Sequence, residues 1–143
     1  MKRYYLFIIA FVILFSGSAF AERLAVSVST ANIRSGPGQK YEIVWKAGKY
    51  YPILILKKYG EWFHFSNYER KKGWIHRSLV KKIPTVITKR IKCNIRKGPG
   101  TSYNISATVG KGVPFKIIKR EGTWLNIQHA GGFVGWIHKN LVW

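Results

Sequence analysis

Two short stretches carry residues suited to chemistry, and they are nearly the same stretch: NIRSGPG at 32–38 and NIRKGPG at 94–100. A glycine-rich loop beside an arginine is one way to cradle a phosphate, provided consecutive backbone N–H groups converge on it. Pro37 and Pro99 each delete one donor at the centre of the loop, and no helical pattern follows. The reading is therefore a turn, and Gly-Pro-Gly suits type II, with the second glycine at positive φ. Arg34 and Arg96 keep two roles open. They can hold the loop through its carbonyls, or capture a carboxylate or phosphate bidentately, with Tyr41 and Tyr103 just past the loop.

Other candidates are weaker as catalysts. His76 and His138 recur once per stretch, too few to build a metal site of three or four ligands, and read as capping or packing residues. Cys93 has Ala31 as its counterpart, so the position asks for something small and apolar and the thiol is expected to be buried and inert. The chain has no Asp, no paired carboxylates and no Ser/His/acid set, which argues against an enzyme of any usual class and for no cofactor. Trp62 and Trp124 remain. Each falls on the outward face of a strand, where a large aromatic either stacks on sugar or peptide or caps its own small domain. The candidate ligand-binding set is thus Arg34, Tyr41, Trp62, Arg96, Tyr103 and Trp124.

The elements that must position these residues come in two copies. At an offset of 62, residues 32–80 align with 94–142 without a gap and 21 of 49 positions agree, so one unit is written twice. Within each copy EWFHFS and TWLNIQ alternate: Phe63, Phe65, Leu125 and Ile127 face inward; Trp62, His64, Ser66, Trp124, Asn126 and Gln128 face outward. PILILKK before YGEW, and PFKIIKR before EGTW, each read as strand, Gly turn and return strand. The first copy has Leu54 where the second has Lys116, and Trp45 where the second has Ala107. That surplus apolar surface predicts an interdomain or self-association contact at Leu54 and Trp45.

The first 21 residues have a Lys2–Arg3 start, an apolar core and an Ala19-x-Ala21 ending, the layout of a signal peptide cleaved after Ala21. The apolar run falls short of the roughly 20 residues a spanning helix needs, and no transmembrane segment is expected after cleavage. Without Lys2 and Arg3, 23 basic residues face five glutamates, a net of +18. Such a field favours anionic partners, although a Lys-rich compositional bias gives the same count. Export makes nucleic acid an unexpected physiological target and places the protein in the periplasm or outside the cell. With a single cysteine in the mature chain, no internal disulfide is available.

The N-I-R-x-G-P-G opening, the following tyrosine, the mid-domain Gly-x-Trp and the closing Gly-Trp-Ile-His-x-x-Leu-Val together resemble the bacterial SH3 domain family, twice over. The resemblance implies an all-β protein of two tandem SH3-like small β-barrels, expected over 24–82 and 86–143 behind the signal peptide at 1–21. It also implies a one-turn helix at HRSL and HKNL. Family members generally act as non-catalytic modules on cell-wall peptides or other polymers. The implied partner is peptidoglycan, another anionic envelope polymer or a periplasmic protein. The alternative is a structural or interaction protein held to anionic envelope surfaces by charge.

Overall fold

In the computed structural model, which describes residues 21–143, the chain is all β with two short 3-10 turns. The signal-peptide reading therefore falls almost wholly outside the described residues. The first unit comprises β1 (Arg23–Val26), β2 (Thr30–Arg34), β3 (Ile43–Gly48), β4 (Pro52–Tyr59), β5 (Trp62–Ser66), β6 (Lys72–His76) and β7 (Val80–Lys81). The second comprises β8 (Thr85–Ile87), β9 (Cys93–Arg96), β10 (Ile105–Val109), β11 (Pro114–Glu121), β12 (Trp124–Gln128) and β13 (Val134–His138). The strands β4, β5 and the 3-10 turn Arg77–Leu79 recur 62 residues later as β11, β12 and Lys139–Leu141.

The antiparallel order is β3-β2-β6-β5-β4-β1-β7 in one sheet and β10-β9-β13-β12-β11-β8 in the other. Neither order returns on itself, so each unit is an open, coiled sheet and not the closed barrel expected from sequence. In the first unit the edge strand β7 is only two residues long, and within the sheet β2 meets β6 at the single pair Arg34–Trp74. Short edge strands also offer little backbone for unwanted pairing.

Coiling is helped by bulges that recur in both copies, between Ile55 and Lys57 and between Ile117 and Lys119. Each inserts one residue and bends the strand. The bulge resets the alternation, leaving Leu56 and Ile118 exposed although each directly follows a buried isoleucine.

Each sheet wraps its own core. Phe65, Ile53, Ile33 and Ile75 fill the first, and Phe115, Ile127, Ile95 and Ile137 fill the second. The large ring moves from β5 to β11 while isoleucine moves the other way, a volume-conserving exchange across the same core. Trp45 belongs to this interior. It packs on the first core and meets Phe65 edge-on at 6.0 Å, so the expectation that it joins an interdomain contact is corrected. Leu54 is half-buried on β4, the strand that comes against β8 of the second unit.

The two units are tied by side chains as well as by the linker. Arg23 Nη2 donates to the carbonyls of Thr85 (3.2 Å) and Trp143 (2.8 Å), and its guanidinium lies 4.0 Å from the centroid of the Trp143 ring. Lys111 of the second unit pairs with Glu69 of the first at 3.2 Å.

Candidate functional site

The two loops are closed from within. Arg34 Nη1 donates to the carbonyls of Gln39 (3.1 Å) and Tyr41 (2.9 Å). Arg96 Nη1 does the same to Thr101 (3.2 Å) and Tyr103 (3.0 Å). Each arginine therefore holds its loop with one nitrogen and leaves the rest of the fork free of protein acceptors among the described residues.

The turn itself is not type II. Gly38 N–H bonds to Gly36 O at 2.9 Å, and Gly100 to Gly98 at 2.9 Å, a two-residue step around each proline. Neither Gly38 nor Gly100 is among the residues at positive φ. A proline φ near −65° suits the centre of such an inverse γ-turn directly.

The glycines are there for space. A Cβ on Gly36 would lie 2.5 Å from the Tyr41 ring, and one on Gly98 2.3 Å from the Tyr103 ring. Each tyrosine lies flat on its own loop, which explains why the Gly-Pro-Gly and the tyrosine travel together in both copies. A similar close approach explains Gly73 and Gly135, where a Cβ would meet Ile33 or Ile95 Cγ2 at 2.4 Å.

An open groove of about 360 Å3 in the first unit brings Arg34 and Trp62 together with Asn32, Gln39, His76 and Ser78. Tyr41 is not part of its lining. Antiparallel register sets Trp62 opposite His76, and the two rings meet edge-on at 5.2 Å. His76 Nδ1 also accepts from Ser78 N–H at 3.2 Å, capping the 3-10 turn. The second unit repeats both contacts: Trp124 and His138 are 5.2 Å apart, and His138 Nδ1 accepts from Asn140 N–H at 3.2 Å. The half-buried Trp62 and Trp124 are therefore held in place while part of each ring stays open to solvent.

Some residues lie elsewhere than the alternation suggests. Asn126 is buried, not outward, because its Nδ2 donates to Gly135 O at 3.0 Å across the sheet opposite Trp136. Its counterpart His64 stacks on Trp74 at 4.5 Å and 17°. Burial, with Lys72 and Lys57 nearby, holds the His64 imidazole below its ordinary pKa. Cys93 is fully buried and burial pushes its thiol up, so it is not poised as a nucleophile.

Of the other groove residues, Asn32 opens the repeated motif and recurs as Asn94, whereas Gln39 and Ser78 differ between the copies and carry no sequence signal of their own. Arg23 lies ahead of the repeat match, and its counterpart Thr85 gave no hint of an arginine role.

Two open, bulged sheets, of seven and six strands, each closing on a one-turn 3-10 helix, define a tandem of small β modules. The bacterial SH3 domain family model matches residues 27–82 and 89–143, and the chain belongs to that family. Among curated proteins it is 29% identical to the putative N-acetylmuramoyl-L-alanine amidase YrvJ of Bacillus subtilis, covering 99% of this chain and 30% of that protein. It is 39% identical to the probable cell wall amidase LytH of Staphylococcus epidermidis, over 38% of this chain and 20% of that one. The chain thus spans a third or less of the length of these relatives.

Among solved structures it is similar to an NlpC/P60 family protein from Bacillus cereus (TM-score 0.41, 12% identity, 85% of this chain and 56% of that one). It is also similar to NlpC2 from Trichomonas vaginalis (TM-score 0.38, 15% identity, 88% and 49%).

Proposed function

We propose that this chain is a non-catalytic module that engages peptidoglycan in the bacterial envelope, through the groove that pairs Arg34 with Trp62 and its counterpart at Arg96 and Trp124. The carrying observation is that groove: a fixed, partly exposed indole beside a guanidinium whose Nη2 and Nε find no protein acceptor among the described residues. An indole offers a stacking face for a sugar or peptide, and a free guanidinium fork suits a carboxylate. Tyr41 and Tyr103 act here as lids of the loops that set the arginines, contributing to the site through them. The amidase relatives support the same class of polymer, being named for a muramoyl-alanine bond and for the cell wall. The burial of Cys93 supports a binding role over a thiol-dependent one.

Sedimentation with purified peptidoglycan across a salt series tests this. Groove recognition persists at about 0.5 M salt, where the Debye length has shrunk to a few ångströms. Trp62→Ala and Trp124→Ala are each expected to weaken retention, and unchanged retention in the double variant overturns the reading.

A second reading has its own observation. Only three acid–base pairs occur among the described residues, against 23 basic side chains after residue 21, so most of the charge is free. A module held by charge alone would release from the wall as salt rises.

A further inference from the structure

The junction between the two units gathers three cations, with no Asp or Glu among the residues that line it. Two adjoining cavities, of about 380 and 310 Å3, share Arg23, Thr85 and Arg120 as their common wall. The second is completed by Lys139 and Trp143, over an apolar floor that includes Leu125 and Val142.

The repeat supplies its own control. In the first unit the counterparts of Arg120 and Lys139 are Lys58 and Arg77, and both are neutralised: Lys58 pairs with Glu22 at 3.2 Å and Arg77 pairs with Glu61. At the offset of 62, the counterparts of Glu22 and Glu61 are Pro84 and Thr123. The second unit thus keeps both cations and lacks both acids, and the fold then brings Arg23 of the first unit to the same place. Among the described residues none of these three cations has an Asp or Glu partner.

Like charges gathered in a half-enclosed cleft repel one another unless an anion sits among them. Arg23 is already committed in part. Its Nη2 serves the backbone oxygens of Thr85 and Trp143 and its guanidinium lies over the Trp143 ring, which fixes it and leaves Nε and Nη1 without a protein acceptor among the described residues. Burial first, and then the nearby Arg120, push the Arg23 pKa down.

We propose that the interdomain cleft formed by Arg23, Arg120, Lys139 and Trp143 is a binding site for an oxyanion, a carboxylate or phosphate group. The preset guanidinium of Arg23 offers a fork suited to such a group, Arg120 and Lys139 supply charge, and the Trp143 ring and apolar floor accept whatever carries the anion. The site is distinct from the Arg34–Trp62 groove and does not depend on the wall being the partner.

The test is an NMR titration of the folded protein with sodium phosphate in one arm and sodium acetate in the other, with chloride holding ionic strength constant. Saturable shifts centred on the Arg23 and Arg120 Nε–H groups and the Trp143 indole are expected in at least one arm, and the stronger arm names the anion. Thr123→Glu restores the acid that the first unit carries, beside Lys139 on the surface, and Arg120→Gln removes a cation. Each is expected to weaken binding about tenfold or more, the scale of one charge-assisted contact. Shifts that never saturate, that spread evenly over the lysines and arginines, or that survive both variants overturn the proposal. The amide spectrum of each variant reports whether it is folded.

Discussion

A single missing methyl group explains the motif that recurs in both halves of the chain. Gly36 and Gly98 carry no side chain because a tyrosine ring occupies the place a Cβ would take. Gly36→Ala must push Tyr41 off its loop, and overpacking of that kind costs about 1–3 kcal/mol. Gly38→Ala is the matched control, since its Cβ would sit 3.6 Å from the same ring, an ordinary contact, and it should stay within about 0.5 kcal/mol. Chemical denaturation of the two variants checks the difference; equal stabilities would show that the ring can move freely.

His64 gives a second prediction at this scale. The folded protein keeps it neutral to lower pH than the unfolded chain, owing first to burial and then to Lys72 and Lys57. On acidification through about pH 6.5 the unfolded state therefore takes up the proton first, and this contribution to stability is lost as pH falls. His64→Asn, the residue that the second unit has at this position, should flatten the change in Tm between neutral and mildly acidic buffer. A slope unchanged by the substitution would assign the effect elsewhere.

At the scale of elements, the one-turn 3-10 helices show why the histidines recur. Each ends a strand, and the first N–H groups of a helical turn need an acceptor. His76 and His138 supply it through Nδ1. The same side chain then lies against the tryptophan across the strand pair, so cap and groove wall are one residue. Losing an N-cap costs about 1 kcal/mol. His138→Ala should show that loss in thermal unfolding, and His138→Asn, which keeps a short acceptor, should recover most of it. If both variants lose equally, the imidazole acts through the Trp124 contact and not as a cap.

The turns between β5 and β6 and between β12 and β13 make a related point. Asn67 Oδ1 accepts from Glu69 and Lys71 N–H at 2.9 Å, and His129 Nδ1 accepts from Gly131 N–H at 3.0 Å. Different residue types at one repeat position do the same job. Identity between copies therefore underestimates how fully the structure repeats.

For the whole molecule, the issue is how two small units hold a fixed relation. Arg23 is the main tie, binding two carbonyls of the second unit and stacking on Trp143. Arg23→Ala removes hydrogen bonds from a charged donor and should cost about 1–3 kcal/mol at the junction. The expected signs are a larger radius of gyration in small-angle scattering and separate melting of the units. The exposed Lys111–Glu69 pair lies in the same junction, yet surface pairs contribute little, so Lys111→Gln should leave both measurements unchanged. An intact arrangement in the Arg23 variant would mean that packing of β4 against β8, with Leu54 at hand, holds the units without it.

The sequence by itself determined the class of fold, the duplication and its offset, the inward residues of β5, the inert setting of Cys93 and a capping or packing role, not a metal-binding one, for the repeated histidines. All of these follow from local periodicity, or from comparing one copy with the other across a fixed spacing. Tertiary structure alone decided the rest. That the sheets stay open, with β3 and β7 as the edges of one and β10 and β8 of the other, is a matter of strand pairing that no periodicity encodes. Trp45 faces the core because Gly73 leaves room beside Ile33, a vacancy visible only once β6 lies next to β2. The two-residue turn at Gly-Pro-Gly, where sequence favours type II, is selected by the tyrosine that must lie on it. The cation cluster at the junction joins residues 23, 120, 139 and 143, and charge at such separations becomes one site only when two folded units dock.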